Sequence, residues 1–201
     1  MDLLFDYFEK GGVIFLVLGF LSLLSITIIV YKFLDIFYFN ELNIPQLQKP
    51  KYELNNFQDF ETMFNKQSDN DKIKLNEIKY FLEEIYKSSK KEDEIYFYLN
   101  EKFKNIQFFM PSLEIISQVS PLIGLLGTVI GMIDSFNELE LGGSLVDPSI
   151  LAGGIWTALL TTAMGLLVAI PALVAHYFFE KKINKLYEFY YFFFLKISYK
   201  K

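Results

Sequence analysis

The chain has 201 residues, 52% of them hydrophobic, and a positive mean hydropathy, an apolar share above that of ordinary soluble domains. Its 24 acidic residues outnumber 19 basic ones, all lysine, and a net charge of -5 leaves no electrostatic footprint for nucleic acid as a partner. With no cysteine and one histidine, disulfides, thiolate nucleophiles and Cys-based or His-rich metal sites are excluded; with the apolar segments that follow, the chain reads as an all-α integral membrane protein for which no catalytic residues, metal or cofactor are expected.

Residues 1–12 form a short N-terminus ahead of a first apolar segment, 13–34. The 21 residues between Lys10 and Lys32 carry no charge and, at 1.5 Å per residue, make a helix of about 30 Å, the thickness of one bilayer core. A cleaved signal peptide is the competing reading. It calls for a basic start and a small-residue cleavage site, whereas this segment follows Asp2, Asp6 and Glu9 and runs into Lys32-Phe33-Leu34-Asp35, which favours an uncleaved span.

Residues 35–112 change composition abruptly to Asn, Lys, Glu and Tyr, with Pro45, Pro50 and the run Ser68-Asp69-Asn70-Asp71 marking connectors. Within this water-facing region Ile73, Ile78, Phe81, Leu82, Ile85 and Tyr86 recur near helical spacing. Ile95, Tyr98, Leu99, Phe103 and Ile106 do the same, which predicts two amphipathic helices. The second runs toward the next span, interrupted or kinked near Pro111. No phosphate loop, nucleophile elbow or metal-ligand spacing occurs.

The second span, 113–136, contains 19 uncharged residues (115–133), just enough to cross, and is polar enough at Ser117, Gln118, Ser120 and Thr128 to want protein or water on one face. A short loop, 137–149, carries Glu138, Glu140 and Asp147. The third span, 150–179, lies within 32 uncharged or weakly polar residues, about 48 Å as a helix, so only part of it sits in hydrocarbon. The tail, 180–201, repeats an apolar period through Ile183, Leu186, Tyr187, Tyr190, Phe193, Phe194 and Ile197 and is aromatic nearly all round at 189–194. Such a helix either bundles with the middle region or a sister subunit, or lies at a membrane interface with its lysines toward lipid headgroups.

Eighteen of the 19 lysines fall in two stretches, 12 from Lys32 to Lys104 and 6 from Lys181 to Lys201. The positive-inside rule therefore places those parts in the cytoplasm, and the N-terminus and the 137–149 loop on the outer side, of a multi-pass membrane protein.

Small residues recur at helical spacing in the last two spans: Ser120, Gly124, Thr128, with Gly127 and Gly131 offset, then Gly154, Ala158, Thr162, Gly165 and Ala169. Such stripes let helix backbones approach closely in lipid. Thr128, Thr157, Thr161 and Thr162 add hydroxyls at membrane depth, which either bond local carbonyls or face a polar path. No side chain between Glu114 and Asp134, or between Asp147 and His176, titrates near neutral pH, so the chain carries no proton carrier of its own at mid-membrane. Asp134 stands near the outer end of its span, either at a solvated or pore-mouth position or in a specific ion-handling role; His176 reads as an interfacial hydrogen-bonder, Trp156 as a packing or interface anchor and Pro171 as a kink.

The stretch Pro121-Leu-Ile-Gly-Leu-Leu-Gly-Thr-Val-Ile-Gly-Met-Ile-Asp-Ser-Phe136, followed by Gly153-Gly-Ile-Trp-Thr-Ala-Leu-Leu-Thr-Thr-Ala-Met-Gly-Leu-Leu-Val-Ala-Ile-Pro-Ala172, resembles the paired signature of the ExbB/TolQ/MotA family of inner-membrane motor stators, most closely the ExbB and TolQ branch. The resemblance covers residues 120–182. It implies a homopentamer whose second and third helices line a pore. That pore would hold the single-span helices of an ExbD- or TolR-like partner carrying an essential Asp, with motion passed to TonB or TolA. On this resemblance Thr128 and Thr162 match pore-facing threonines, with Thr157 and Thr161 beside them. Pro121, Gly124, Gly127, Gly131, Gly165 and Pro171 match packing and kink positions, joined by Gly154 and Ala158 from the stripe. One departure is plain: Thr157 stands where the Gly-Ile-x-Glu-Ala-Leu run usually has glutamate, which leaves proton and sodium coupling both open. The expected function is an ExbB-like stator energising transport across the outer membrane. The alternatives are a TolQ-like role in envelope integrity and a non-conducting membrane scaffold.

Overall fold

The computed structural model describes residues 2–36, 57–65, 69–87, 90–142 and 148–199. The described residues are almost wholly helical: α1 (Asp2–Leu34), α2 (Phe57–Asn65), α3 (Asp69–Lys87), α4 (Lys91–Gln107), α5 (Met110–Gly142) and α6 (Pro148–Tyr199). The connectors proposed at Pro45 and Pro50, Ser68 of the third, and Asp147 lie outside the described residues; Asp69, Asn70 and Asp71, expected in that third connector, instead open α3, since acidic residues favour a helix N-terminus. Among the described residues three helices hold segments long and apolar enough to cross a membrane, Gly12–Leu34, Met110–Leu141 and Leu151–Tyr199. The chain divides into two compact units, residues 1–32 with 109–179 and residues 33–108 with 180–201.

The first unit contains the apolar segments. In α1, Phe15, Leu18, Ser25, Ile28 and Lys32 are buried along one stripe while Val13, Leu16, Phe20 and Leu23 stand exposed, the distribution of a helix that meets protein on one side and lipid on the other. Helical geometry is broken once, at Gly12 (φ 56, ψ -147), the only positive φ among the described residues. A left-handed φ penalises any side chain with a Cβ, so glycine permits the break where the apolar segment begins. At the other end Lys32 is fully buried, its ammonium 5.7 Å from the Tyr31 ring centroid and 6.0 Å from that of Phe109, and those two rings meet edge to face at 5.4 Å. A lysine that reads in sequence as the charge ending a span is therefore packed between aromatic faces.

The expected interruption near Pro111 occurs at Phe108–Phe109, between α4 and α5. Pro111 then falls in the first turn of α5, where its missing N–H removes no helix bond. Two boundaries differ from the sequence reading. Residues 137–142, expected in a loop, are the last turns of α5, because Glu138, Leu139 and Glu140 are good helix formers and a helix stops more readily at Gly142. The third span and the tail form one 52-residue helix, unbroken through Pro171.

The second unit is built on aromatic packing. Both amphipathic periods are helices, burying Leu75, Ile78, Leu82 and Ile85 in α3 and Ile95, Leu99, Phe103 and Ile106 in α4. Acidic Glu92, Asp93 and Glu94 in the first turn of α4 and Lys104 in the last suit its dipole. The short helix α2, which the periodicity did not announce, contributes Phe60 and Phe64. The tail bundles with these helices: Tyr190, Phe194 and Ile197 are buried, and Phe194 meets Phe81 at 5.2 Å and Tyr98 at 5.9 Å between ring centroids. Phe60 meets Phe193 at 6.3 Å, and Phe81 stacks on Tyr98 at 3.6 Å. Lys91 Nζ donates to the Ser198 carbonyl at 2.6 Å, capping a last-turn oxygen that the helix cannot satisfy, and the Tyr199 hydroxyl donates to Glu92 at 3.3 Å.

Burial, together with Glu77 and Glu101 nearby, pushes the Tyr98 hydroxyl above its ordinary 10.0. The unfolded chain releases this proton near the ordinary value while the folded chain holds it. The associated stability is therefore fully present below that value and is lost as pH rises beyond it. Thermal unfolding followed by circular dichroism should show the wild type losing stability above about pH 10, with a shallower loss in Tyr98→Phe. Equal slopes would remove Tyr98 as the cause.

Candidate functional site

The small-residue stripes of α5 and α6 meet along a seam. A Cβ added at Gly124 would lie 2.8 Å from the Thr161 carbonyl oxygen and 3.2 Å from the Gly165 Cα; one added at Gly165 would lie 2.6 Å from the Ser120 carbonyl oxygen. A Cβ at Gly131 would sit 3.1 Å from that of Ala158. At Gly127 it would run into the Thr161 side chain, and at Gly154 into the hydroxyl of Ser135. Backbone thus faces backbone, which is the purpose of such stripes where lipid supplies no hydrophobic force to join helices.

Hydroxyls stitch the seam. Thr161 is buried, and its Oγ1 donates to the carbonyls of Ala158 at 2.6 Å and Gly124 at 3.1 Å, while Thr162, half-buried, donates to the same Gly124 carbonyl at 3.3 Å. One glycine carbonyl in α5 therefore collects two hydroxyls from α6. Interhelical bonds of this kind contribute about 0.6 kcal/mol on average in membranes. Ser120 and Ser135, both buried, turn their hydroxyls back onto the carbonyls of Ile116 and Gly131 at 2.7 and 2.8 Å. Local back-bonding leaves them compact enough to sit opposite Gly165 and Gly154.

The remaining candidate residues fall into two places. Thr128 is half-buried, donates to the Leu125 carbonyl at 2.7 Å, and lines an open groove of about 540 Å³ along α5 with Met132, Phe136 and Glu140. Thr157 donates to the Gly154 carbonyl at 2.9 Å. It lines a different recess, about 340 Å³, with Asp134, Thr161, Gly127, Gly131 and Ala158, closed on one side by Gly12, Val13 and Ile14 of α1. The four threonines therefore do not share one surface: Thr161 and Thr162 join the helices, Thr128 stands on the groove, and Thr157 and Thr161 border the recess. Asp134 is exposed on that recess. Pro121 is half-buried and Pro171 exposed, both within continuous helix.

Two participants escaped the sequence reading. Ser135 continues the stripe Gly124, Gly127, Gly131 by one further step and could have been found from that spacing. The wall made by Gly12 could not, because nothing in sequence connects α1 to Asp134 and Thr157. Among the described residues no cluster of three or more His, Asp or Glu is placed to hold a metal ion.

Comparison with known proteins agrees with these motifs. The sequence model of the MotA/TolQ/ExbB proton channel family matches residues 60–190. Over 87 residues the chain is 38% identical to the biopolymer transport protein exbB1 of Vibrio cholerae, covering 43% of this chain and 38% of that protein. It is 36% identical over 86 residues to the Tol-Pal system protein TolQ of Haemophilus influenzae, 43% of this chain and 37% of the relative. It is 41% identical over 69 residues to the biopolymer transport protein ExbB of Salmonella typhimurium, 34% of this chain and 28% of the relative. Each match thus spans less than two fifths of the relative's length. With the family match covering well over half of its residues and both signature stretches falling inside it, the chain belongs to the MotA/TolQ/ExbB proton channel family.

Proposed function

We propose that the chain is an ExbB-like stator subunit of an ion-driven motor, assembled as a homopentamer in the bacterial inner membrane with its N-terminus periplasmic and its C-terminus cytoplasmic. In this reading α5 and α6 surround a central pore, Thr128 and Thr162 lie along it, and an ExbD-like single-span partner supplies the titratable Asp that drives a TonB-like protein. The observation that carries it is the family match over residues 60–190, which includes both spans that form the seam. The long uncharged runs support it physically: two helices without a mid-membrane titratable group need a carboxylate from elsewhere to move protons. A TolQ-like role, with a TolR-like partner and a TolA-like protein, is the second reading, favoured by the Haemophilus influenzae relative.

Native mass spectrometry of the purified chain, alone and co-expressed with the ExbD-like protein, tests the assembly. Five copies that gain two partner chains are expected, whereas a monomer or dimer indifferent to the partner would sink the proposal. Gene deletion separates the two roles, since loss of energised uptake marks the ExbB-like function and envelope leakage the TolQ-like one. Thr162→Val removes the hydroxyl bonded to Gly124 with little change of shape. It should reduce ion-driven uptake while leaving the oligomer assembled, and normal uptake would remove Thr162 from the ion path.

A further inference from the structure

The recess between α1, α5 and α6 has a chemistry that the seam does not require. Its polar side chains are the Asp134 carboxylate and the hydroxyls of Thr157 and Thr161; the other walls are Gly, Ala, Val and Ile. The Thr157 hydrogen is directed to the Gly154 carbonyl, and the Thr161 hydrogen to the carbonyls of Ala158 and Gly124. What these hydroxyls have left to offer a ligand is oxygen lone pairs. The described side chains lining the recess therefore present acceptors, carry one negative charge, and contribute no N–H donor.

Gly12, where α1 departs from helical geometry, is itself part of the wall. Asp134, Thr157 and Gly12 all lie near the ends of their apolar segments, so water can reach the recess from that side. A volume of about 340 Å³ is many times the roughly 10–15 Å³ that one water needs by this measure, enough for a cation that keeps much of its hydration shell. Charge decides the valence. A monovalent cation neutralises the lone carboxylate, while a divalent ion would leave a net positive charge beside hydrocarbon.

We propose that this recess is a binding site, inside each subunit, for a partly hydrated monovalent alkali cation, with Asp134 as its charge partner and the hydroxyl oxygens of Thr157 and Thr161 as neutral ligands. The carboxylate that Thr157 does not supply from α6 comes from Asp134 on the facing helix α5. Equilibrium binding to the chain alone is a separate readout from ion-driven work, so the site stands or falls independently of the stator proposal.

The test is binding of radioactive 22Na+ to the purified full chain in nanodiscs, with choline chloride holding ionic strength constant. Saturable binding of about one Na+ per chain is expected, in keeping with one carboxylate per recess, and excess unlabelled Li+ or K+ should compete while choline does not. Asp134→Asn should abolish it, and Thr157→Val, nearly isosteric, should weaken it about tenfold. Glu140→Gln removes a charge from the groove outside the recess and should leave affinity unchanged. Size-exclusion profile and Trp156 fluorescence report whether each variant is folded. No saturable binding to the wild type, full affinity in Thr157→Val or in folded Asp134→Asn, or equal loss in Glu140→Gln would each overturn the site.

Discussion

Phe194→Ala should destabilise the second unit by about 3–5 kcal/mol, the range for truncating a fully buried phenylalanine. Phe194 has no exposed surface and its ring lies within 6.0 Å, centroid to centroid, of Phe81, Tyr98, Tyr190 and Phe193. Removing it leaves a cavity walled by rings on three helices, and rings held by their own neighbours collapse poorly into a gap. The loss should appear in hydrogen exchange as faster opening of α4 and of the tail. Phe192, two residues earlier and 65% exposed, provides the contrast: Phe192→Ala should shift stability by no more than about 0.5 kcal/mol. If the two variants behaved alike, the tail would not be the keystone of this bundle.

Gly165→Ala is expected to be the most damaging single-methyl change in the first unit. Its Cβ would lie 2.6 Å from the Ser120 carbonyl oxygen and 3.1 Å from the Gly124 Cα, so the obstruction is backbone, which no rotamer change relieves. Overpacking costs about 1–3 kcal/mol where side chains can give way, and a backbone-limited contact belongs at the upper end. Gly165→Leu, larger still, should separate α5 from α6 and break the oligomer. Gly19 offers a matched control, since a Cβ there meets nothing within 4 Å. Gly19→Ala should be neutral or slightly stabilising through helix propensity. Thermal unfolding read by the single tryptophan, Trp156 on α6, compares the variants in one assay. Equal melting of Gly165→Ala and wild type would show that the seam does not hold these helices together.

The seam was legible in the chain because its cause is local and periodic. Gly124, Gly127 and Gly131 on one helix, and Gly154, Ala158 and Gly165 on the other, announce close approach wherever they meet. The amphipathic helices were legible for the same reason, since Ile78, Leu82 and Ile85 repeat at the helical period. The ends were not. Residues 137–142 read as a loop because they carry charge, yet charge at a helix end is compatible with helix. Lys32 read as the charge that ends a span because lysine is seldom buried, and only the structure shows it packed against the rings of Tyr31 and Phe109.

The four threonines divide most clearly between what sequence and structure each supply. By itself the sequence determined an all-helical membrane chain, three apolar segments, two close-packing stripes, a signature specific enough to identify the family, and the absence of titratable groups at mid-membrane. These follow from composition and from periods of three to four residues, which a one-dimensional string records. Only the tertiary structure decided that Thr161 and Thr162 converge on the Gly124 carbonyl, that Thr128 looks onto a separate groove, and that Asp134 shares a recess with Thr157 and a broken turn at Gly12. The convergence on Gly124 and the recess join residues more than 20 positions apart, and the rotation of each helix about its own axis, set by the packing of its neighbours, determines which hydroxyl meets which oxygen.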